Sequence, residues 1–184
     1  MGGDRRIALE AAMVTADGVL HYLAPYCERI EVAGSIRRKK KTVGDVEIVA
    51  IPKVKRALDL FGKPTGEEEL LIGQGVDDAN TREWFWLKTI SMGHRYWKLA
   101  NTRNQNFPID LFLVRQPAQW GPIFALRTGS ADFSKRLMMA LRARGYRSED
   151  GRILDRKDNV IDCPEEQDVF EVAGMRWIVP ESRG

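Results

Sequence analysis

The stretch that most constrains this chain is Asp45-Val46-Glu47-Ile48-Val49-Ala50-Ile51. It is rich in β-branched residues and stops at Pro52, so it reads as a strand over residues 45–51. Residues i and i+2 of a strand share a face. Asp45 and Glu47 therefore point to one side, and Val46, Ile48 and Ala50 to the other. A sheet built on this strand has an apolar face for a core and an acidic face for a cleft. Adjacent carboxylates raise each other's pKa, and a cation between them removes that penalty. The pair is a candidate site for a hard divalent metal with oxygen ligands.

The residues just upstream supply complementary chemistry. Gly34 lets the backbone approach a ligand closely, and Ser35 adds a hydroxyl and an N–H. Arg37 and Arg38 offer forked donors for phosphate oxygens, and Gly44 can turn the chain before the acids. Phosphate grip, turn and metal ligands together form the inventory for phosphoryl or nucleotidyl transfer. Taken singly, each part has a plain structural reading: a turn, a solvated basic loop, the wet face of an edge strand.

A second acid lies in Phe107-Pro108-Ile109-Asp110-Leu111-Phe112-Leu113-Val114. Alternation buries Ile109, Leu111 and Leu113 and leaves Asp110 on the opposite side. A carboxylate in so apolar a run needs a partner, because burying it bare is costly. That partner is either an arginine, such as Arg95 or Arg103, or a metal shared with Asp45 and Glu47.

Elsewhere, Ala12, Ala16, Val19 and Leu23 mark one face of a helix over residues 5–23, with Asp4 as its cap and Pro25 closing it. A short strand around Ile30 and Val32 leads to Gly34. Residues 53–61 fit a short amphipathic helix. Residues 62–81 are broken by Gly62, Pro64, Gly66, Gly73 and Gly75, and the acidic run at 67–69 reads as solvated. The aromatic run at 83–87 reads as core in preference to a base-stacking platform. One strand is expected over 91–101, with Arg95, Trp97 and Leu99 on one face and His94, Tyr96 and Lys98 on the other. A helix ends at Gly129, and Ser130 caps the next, over 132–144. Met138, Met139 and Leu141 form the apolar side of that helix; Lys135, Arg136, Arg142 and Arg144 form its basic side. A hairpin at 153–161 and a helix at 165–174, acidic at its start, complete the chain.

The chain has 184 residues, 43% of them hydrophobic, and a net charge of +3. That suits one domain or two small ones with an adequate core, and overall charge argues neither for nor against nucleic acid. Cys27 and Cys163 are its only cysteines. They form neither a zinc spacing nor a disulfide framework, which fits a reducing compartment. No apolar run approaches membrane-spanning length, and no signal-type block follows the N-terminus. A soluble, cytoplasmic or otherwise intracellular protein is expected, within the host cell if the source is viral.

The run Gly34-Ser35-x-Arg37-Arg38, followed by Gly44-Asp45-x-Glu47, resembles the nucleotidyltransferase signature of the family X DNA polymerases, the DNA polymerase beta-like group. The family normally has Asp where this chain has Glu47. Asp110 matches the family's third catalytic carboxylate. Thr128-Gly129-Ser130 matches the joint between palm and thumb, with Leu126-Arg127 where the family has an aromatic near the incoming sugar. The acidic helix, Gly174, Trp177 and Pro180-Glu181-x-Arg183 are similar to the thumb end.

The resemblance implies an α/β (α+β) fold: a nucleotidyltransferase palm with a mixed sheet over residues 1–126, and a small thumb-like subdomain over 127–184. It implies a DNA-directed DNA polymerase that adds nucleotides to a DNA 3′-hydroxyl, in gap filling or repair, with two magnesium ions that manganese can replace. Asp45, Glu47 and Asp110 would be both metal ligands and catalytic residues. Gly34, Ser35, Arg38, Gly44, Thr128 and Gly129 would bind a deoxynucleoside triphosphate, and Lys135 would touch DNA. Arg37 is expected to be structural. Primer-template or gapped DNA is the expected partner; no membrane is involved, and the protein is expected to be a monomer. The helical region that precedes the palm in most members does not fit into this chain, so DNA affinity is expected to rest on Lys and Arg neutralising phosphates. Two alternatives stay open. One is an untemplated nucleotidyltransferase acting on RNA, protein or a small molecule, against which the thumb-like tail argues. The other is a non-catalytic DNA-binding remnant, suggested by Glu47 and the missing aromatic.

Overall fold

The computed structural model describes residues 5–58, 60–81 and 87–184. The chain begins with strand β1 (Ile7–Ala8) and helix α1 (Leu9–Leu23), then β2 (Cys27–Val32), the single-turn α2 (Gly34–Arg37), β3 (Thr42–Val43) and β4 (Val46–Pro52). A hairpin of β5 (Val54–Leu58) and β6 (Pro64–Leu70) precedes α3 (Ile72–Thr81), β7 (Leu87–Met92), β8 (Tyr96–Asn101) and β9 (Phe107–Leu113). The C-terminal part holds α4 (Trp120–Thr128), α5 (Ala131–Ala143), β10 (Arg147–Glu149), β11 (Arg152–Leu154), β12 (Val160–Ile161) and α6 (Glu166–Ala173). The class is mixed α/β.

The central sheet has five strands in the order β2-β4-β9-β8-β7. Its middle pair, β4 and β9, is parallel, and the other pairs are antiparallel. One face carries Val46, Ile48, Ala50, Leu99, Ile109 and Leu111, all in a core shared with Ala12, Ala16 and Val19 of α1 and with Ile72 and Val76 of α3. The other face is apolar at one end only. There Val49 and Phe112 pack with Trp120 and Phe124 of α4. At the other end of the same face lie Glu47 and Asp110. A separate core gathers Phe133, Leu137 and Leu141 of α5 with Val169 and Phe170 of α6 and Ile153 of β11.

Several expected elements differ. α1 starts at Leu9 because Ile7 and Ala8 pair with Val43 and Thr42; the proposed cap Asp4 lies outside the described residues. Residues 54–58 are a strand, not a helix. Opposite charges face each other across the hairpin, Lys55 against Glu69 and Arg56 against Glu68, and such cross-strand pairs stabilise a sheet that local periodicity cannot reveal. The expected strand over 91–101 is two antiparallel strands that turn at Gly93, whose N–H donates to the Tyr96 carbonyl at 2.9 Å. Met139 does not belong to the apolar side of α5; it is 70% exposed, and Phe133 and Leu137 take that role with Leu141. Of the aromatic run at 83–87, residues 83–86 lie outside the described residues, and Leu87 is buried. The expected hairpin at 153–161 is present as the antiparallel pair β11 and β12, and β10 adds a third strand beside β11.

Candidate active site

β4 and β9 place Glu47 directly beside Asp110, and β8 places Lys98 on the other side of Asp110. Register partners of adjacent strands share a face, so these three side chains project together. Asp45 stands in the bend that enters β4, not on the strand itself. The three acids bear on one another. Burial, then the charge of Asp110, raises the Asp45 pKa. Burial, then the charge of Asp45, pushes Glu47 up to about 7. Asp110 is not paired with Arg95, which instead meets Asp150 at 3.2 Å. Its Oδ1 accepts a 2.7 Å hydrogen bond from the Tyr96 hydroxyl, and burial followed by that bond lifts the Tyr96 pKa to about 12.

Gly34 explains how a glutamate fits beside Asp45. It has φ +60, and a Cβ placed on it would lie 1.8 Å from Glu47 Oε2. The carboxyl of Glu47 thus lies over the bare Cα of Gly34, in space that any other residue would fill. The donors of this cluster are all hard oxygens, the type magnesium takes. As placed, they are not drawn into a cage: among the described residues, no group of three or more His, Cys, Asp or Glu could hold a metal ion.

The basic residues divide. Arg37 donates to Thr128 Oγ1 at 2.7 Å and to both oxygens of Glu166. Arg183, 0% exposed, also donates to Glu166, at 2.7 Å. Arg37 is thus a fixed strut between α2, α4 and α6. Arg38 donates Nη1 to the Thr128 carbonyl at 2.6 Å. Thr128 itself is fully buried, so its side chain serves this joint and does not line the cleft. Two buried polar atoms at the signature, Ser35 Oγ and Arg38 Nε, have no partner among the described residues. Unpaired buried donors are costly and mark places where a ligand or water belongs.

A cavity of ≈ 380 Å³ opens beside the acids, lined by Glu47, Leu126, Arg127, Gly129, Ala131 and Ser134. It joins Gly129 to the acidic face. Lys135 lies away from it, on the outer face of α5, where it is 75% exposed and 3.8 Å from Asp132. Gly44 occupies the bend before Asp45, as a turn-forming residue should.

The C-terminal third bears on the relationship to known proteins. Residues 124–184 match the DNA polymerase beta thumb. The match takes in the end of α4, all of α5 and α6, the small sheet and the Glu166–Arg183 pair, and it supports a relationship to the family X polymerases. No curated protein matches the chain. Three site features escaped sequence reasoning: Tyr96 as partner of Asp110, the Glu166–Arg183 pair as anchor of Arg37, and Arg127 as a cleft residue. The first was within reach, since Tyr96 and Lys98 alternate on the polar face of a strand.

Proposed function

We propose that this chain is a DNA-directed DNA polymerase of the family X type, working in gap filling or repair. Residues 1–126 would be its palm and 127–184 its thumb. The observation that carries the reading is the register of β4 against β9. It brings Glu47 and Asp110, from stretches far apart in sequence, side by side next to Asp45 and in front of the cavity that reaches Gly129. Asp45, Glu47 and Asp110 would hold two magnesium ions, or manganese in their place, which when bound neutralise phosphate charge and activate the attacking oxygen. The reaction is attack of a DNA 3′-hydroxyl oxygen on the α-phosphorus of a deoxynucleoside triphosphate. A new P–O bond forms, the bond to the bridging oxygen breaks, and pyrophosphate leaves. Asp110, whose carboxylate accepts a hydrogen bond from Tyr96, would take the hydroxyl proton. Ser35 and Arg38, with Gly34 and Gly44, would hold the departing phosphates, and Lys135 would contact the DNA. Thr128, being buried, would act through the backbone at the joint with Gly129.

A second reading, a DNA-binding remnant without turnover, draws on the lean of Glu47 over Gly34 and the lack of a gathered three-carboxylate group among the described residues. Primer extension on gapped and open DNA, with magnesium and with chelator, decides. Metal-dependent templated products support the polymerase. Untemplated transfer supports a different nucleotidyltransferase, and binding without products supports the remnant.

A further inference from the structure

Three arginines stand at the signature and the end of α4, and their donors are not equally free. Arg37 is spent on Glu166 and Thr128, and Arg38 gives Nη1 to the Thr128 carbonyl. Arg127 differs. It is exposed, lines the cavity with Glu47 and Gly129, and lies with its Cζ 3.9 Å from the centre of the Phe112 ring. Among the described residues it has no ion pair and no side-chain hydrogen bond. A guanidinium stacked on a ring keeps its edge donors available, in a rigid fork that matches phosphate oxygens. Phe112 follows Asp110 by two residues on β9, on the same face. The stack therefore fixes the fork next to the carboxylates.

We propose that Arg127 is a phosphate-holding residue of this cleft, gripping the nucleotide from the α4 side while Arg38 holds it from the α2 side. The inference rests on reading the cleft as a nucleotide site and adds a residue that the signature does not contain. A purely structural role for Arg127 would be to shield Phe112, which is only 8% exposed. An unbranched apolar side chain can do that equally well.

The test uses the full chain and equilibrium binding in magnesium buffer, with dATP as ligand and inorganic tripolyphosphate as competitor. Arg127→Met keeps the cover over Phe112 and removes the donors; Arg127→Lys keeps the charge without the fork. Melting temperatures establish that both variants are folded. The expected result is a Kd for dATP raised about tenfold or more in Arg127→Met, as for loss of a charged hydrogen bond, with Arg127→Lys between it and the parent. Tripolyphosphate should weaken by the same factor. An unchanged Kd overturns the inference, and if the parent chain still extends primers the polymerase reading stands. Loss of dATP affinity without loss of tripolyphosphate affinity also overturns it, by moving Arg127 to the sugar or base. If the parent binds dATP but extends nothing, the polymerase reading fails while a tenfold loss in Arg127→Met still upholds the inference. A parent chain that binds neither probe overturns both.

Discussion

Glu166→Gln is the sharpest probe of how α2 and α6 are held together. Glu166 is 1% exposed and Arg183 is 0% exposed. The carboxylate accepts from Arg183 Nη1 at 2.7 Å, from Arg37 Nη1 at 2.9 Å and from Arg37 Nη2. Glutamine keeps the shape and one acceptor oxygen but removes the charge that faces two guanidiniums. Breaking a buried ion pair by removing one partner costs about 3–5 kcal/mol. The Arg37 side chain, 22% exposed, regains some hydration, which favours the lower figure. At roughly 2–4 °C per kcal/mol for a chain of this size, Tm at pH 7 should fall by about 6–12 °C.

Acid should erase the difference. Burial raises the Glu166 pKa, but the hydrogen bonds from Arg37 and Arg183 outweigh it and leave the group below its ordinary value. A carboxylate depressed in the folded state adds stability above its unfolded pKa, near 4.3, and loses it as pH falls through the folded value. Calorimetry on both proteins should therefore show a constant Tm gap from neutral pH down to about 5, narrowing below about 4. A gap under about 2 °C at pH 7, or one that persists unchanged into strong acid, would show that the pair is not the strut described.

Asp110→Asn preserves the acceptor for Tyr96 and the side-chain shape, so Tm should stay within about 2 °C while primer extension falls to background; undiminished extension would remove Asp110 from the mechanism. Gly34→Ala puts a methyl group where Glu47 Oε2 lies and strains a backbone at φ +60, so chemical denaturation should show a loss of about 1–3 kcal/mol. Glu47→Asp in the same chain should recover part of that loss, and a double variant no better than the single one would argue that only the backbone strain matters. Burial pushes the Cys27 thiol to about 12 and the Cys163 thiol to about 11. Both should react with a disulfide reagent at least about 100-fold more slowly than a free thiol in the native chain, and at ordinary rates in denaturant; equal native and denatured rates would contradict their burial.

What could be read from the sequence was whatever obeys a local period. Val46, Ile48 and Ala50 against Glu47, and Ile109 and Leu111 against Asp110, alternate cleanly, and the sheet seats them as alternation requires. Caps were legible for the same reason: Ser130 accepts from the Phe133 N–H at 3.2 Å, and Gly174 ends α6 in the left-handed region. The failures lie where the deciding partner is distant or the local signal is shared. Lys55 and Arg56 look helical until Glu68 and Glu69 stand across from them. Met139 looks like core because methionine is apolar, yet Phe133 and Leu137 already fill the seam. Nothing near Arg37 announces Glu166, which lies in another helix 129 positions away. Arg127 was visible only as a departure from an aromatic pattern, because its meaning comes from Phe112, on a different element.

The parallel pairing of β4 with β9 also sets a timetable for folding. Parallel strands cannot be joined by a tight turn, and here the connection contains the β5–β6 hairpin, α3, β7 and β8. Closing so long a loop must precede any reward from the contacts it brings, which makes this the slow event of the central sheet. Every partly folded form without β9, including a nascent chain still short of residue 107, holds Asp45 and Glu47 without Asp110. Such forms expose an unpaired β4 edge and carry only part of the acidic cluster. Completion of the sheet and assembly of the site are thus one kinetic step.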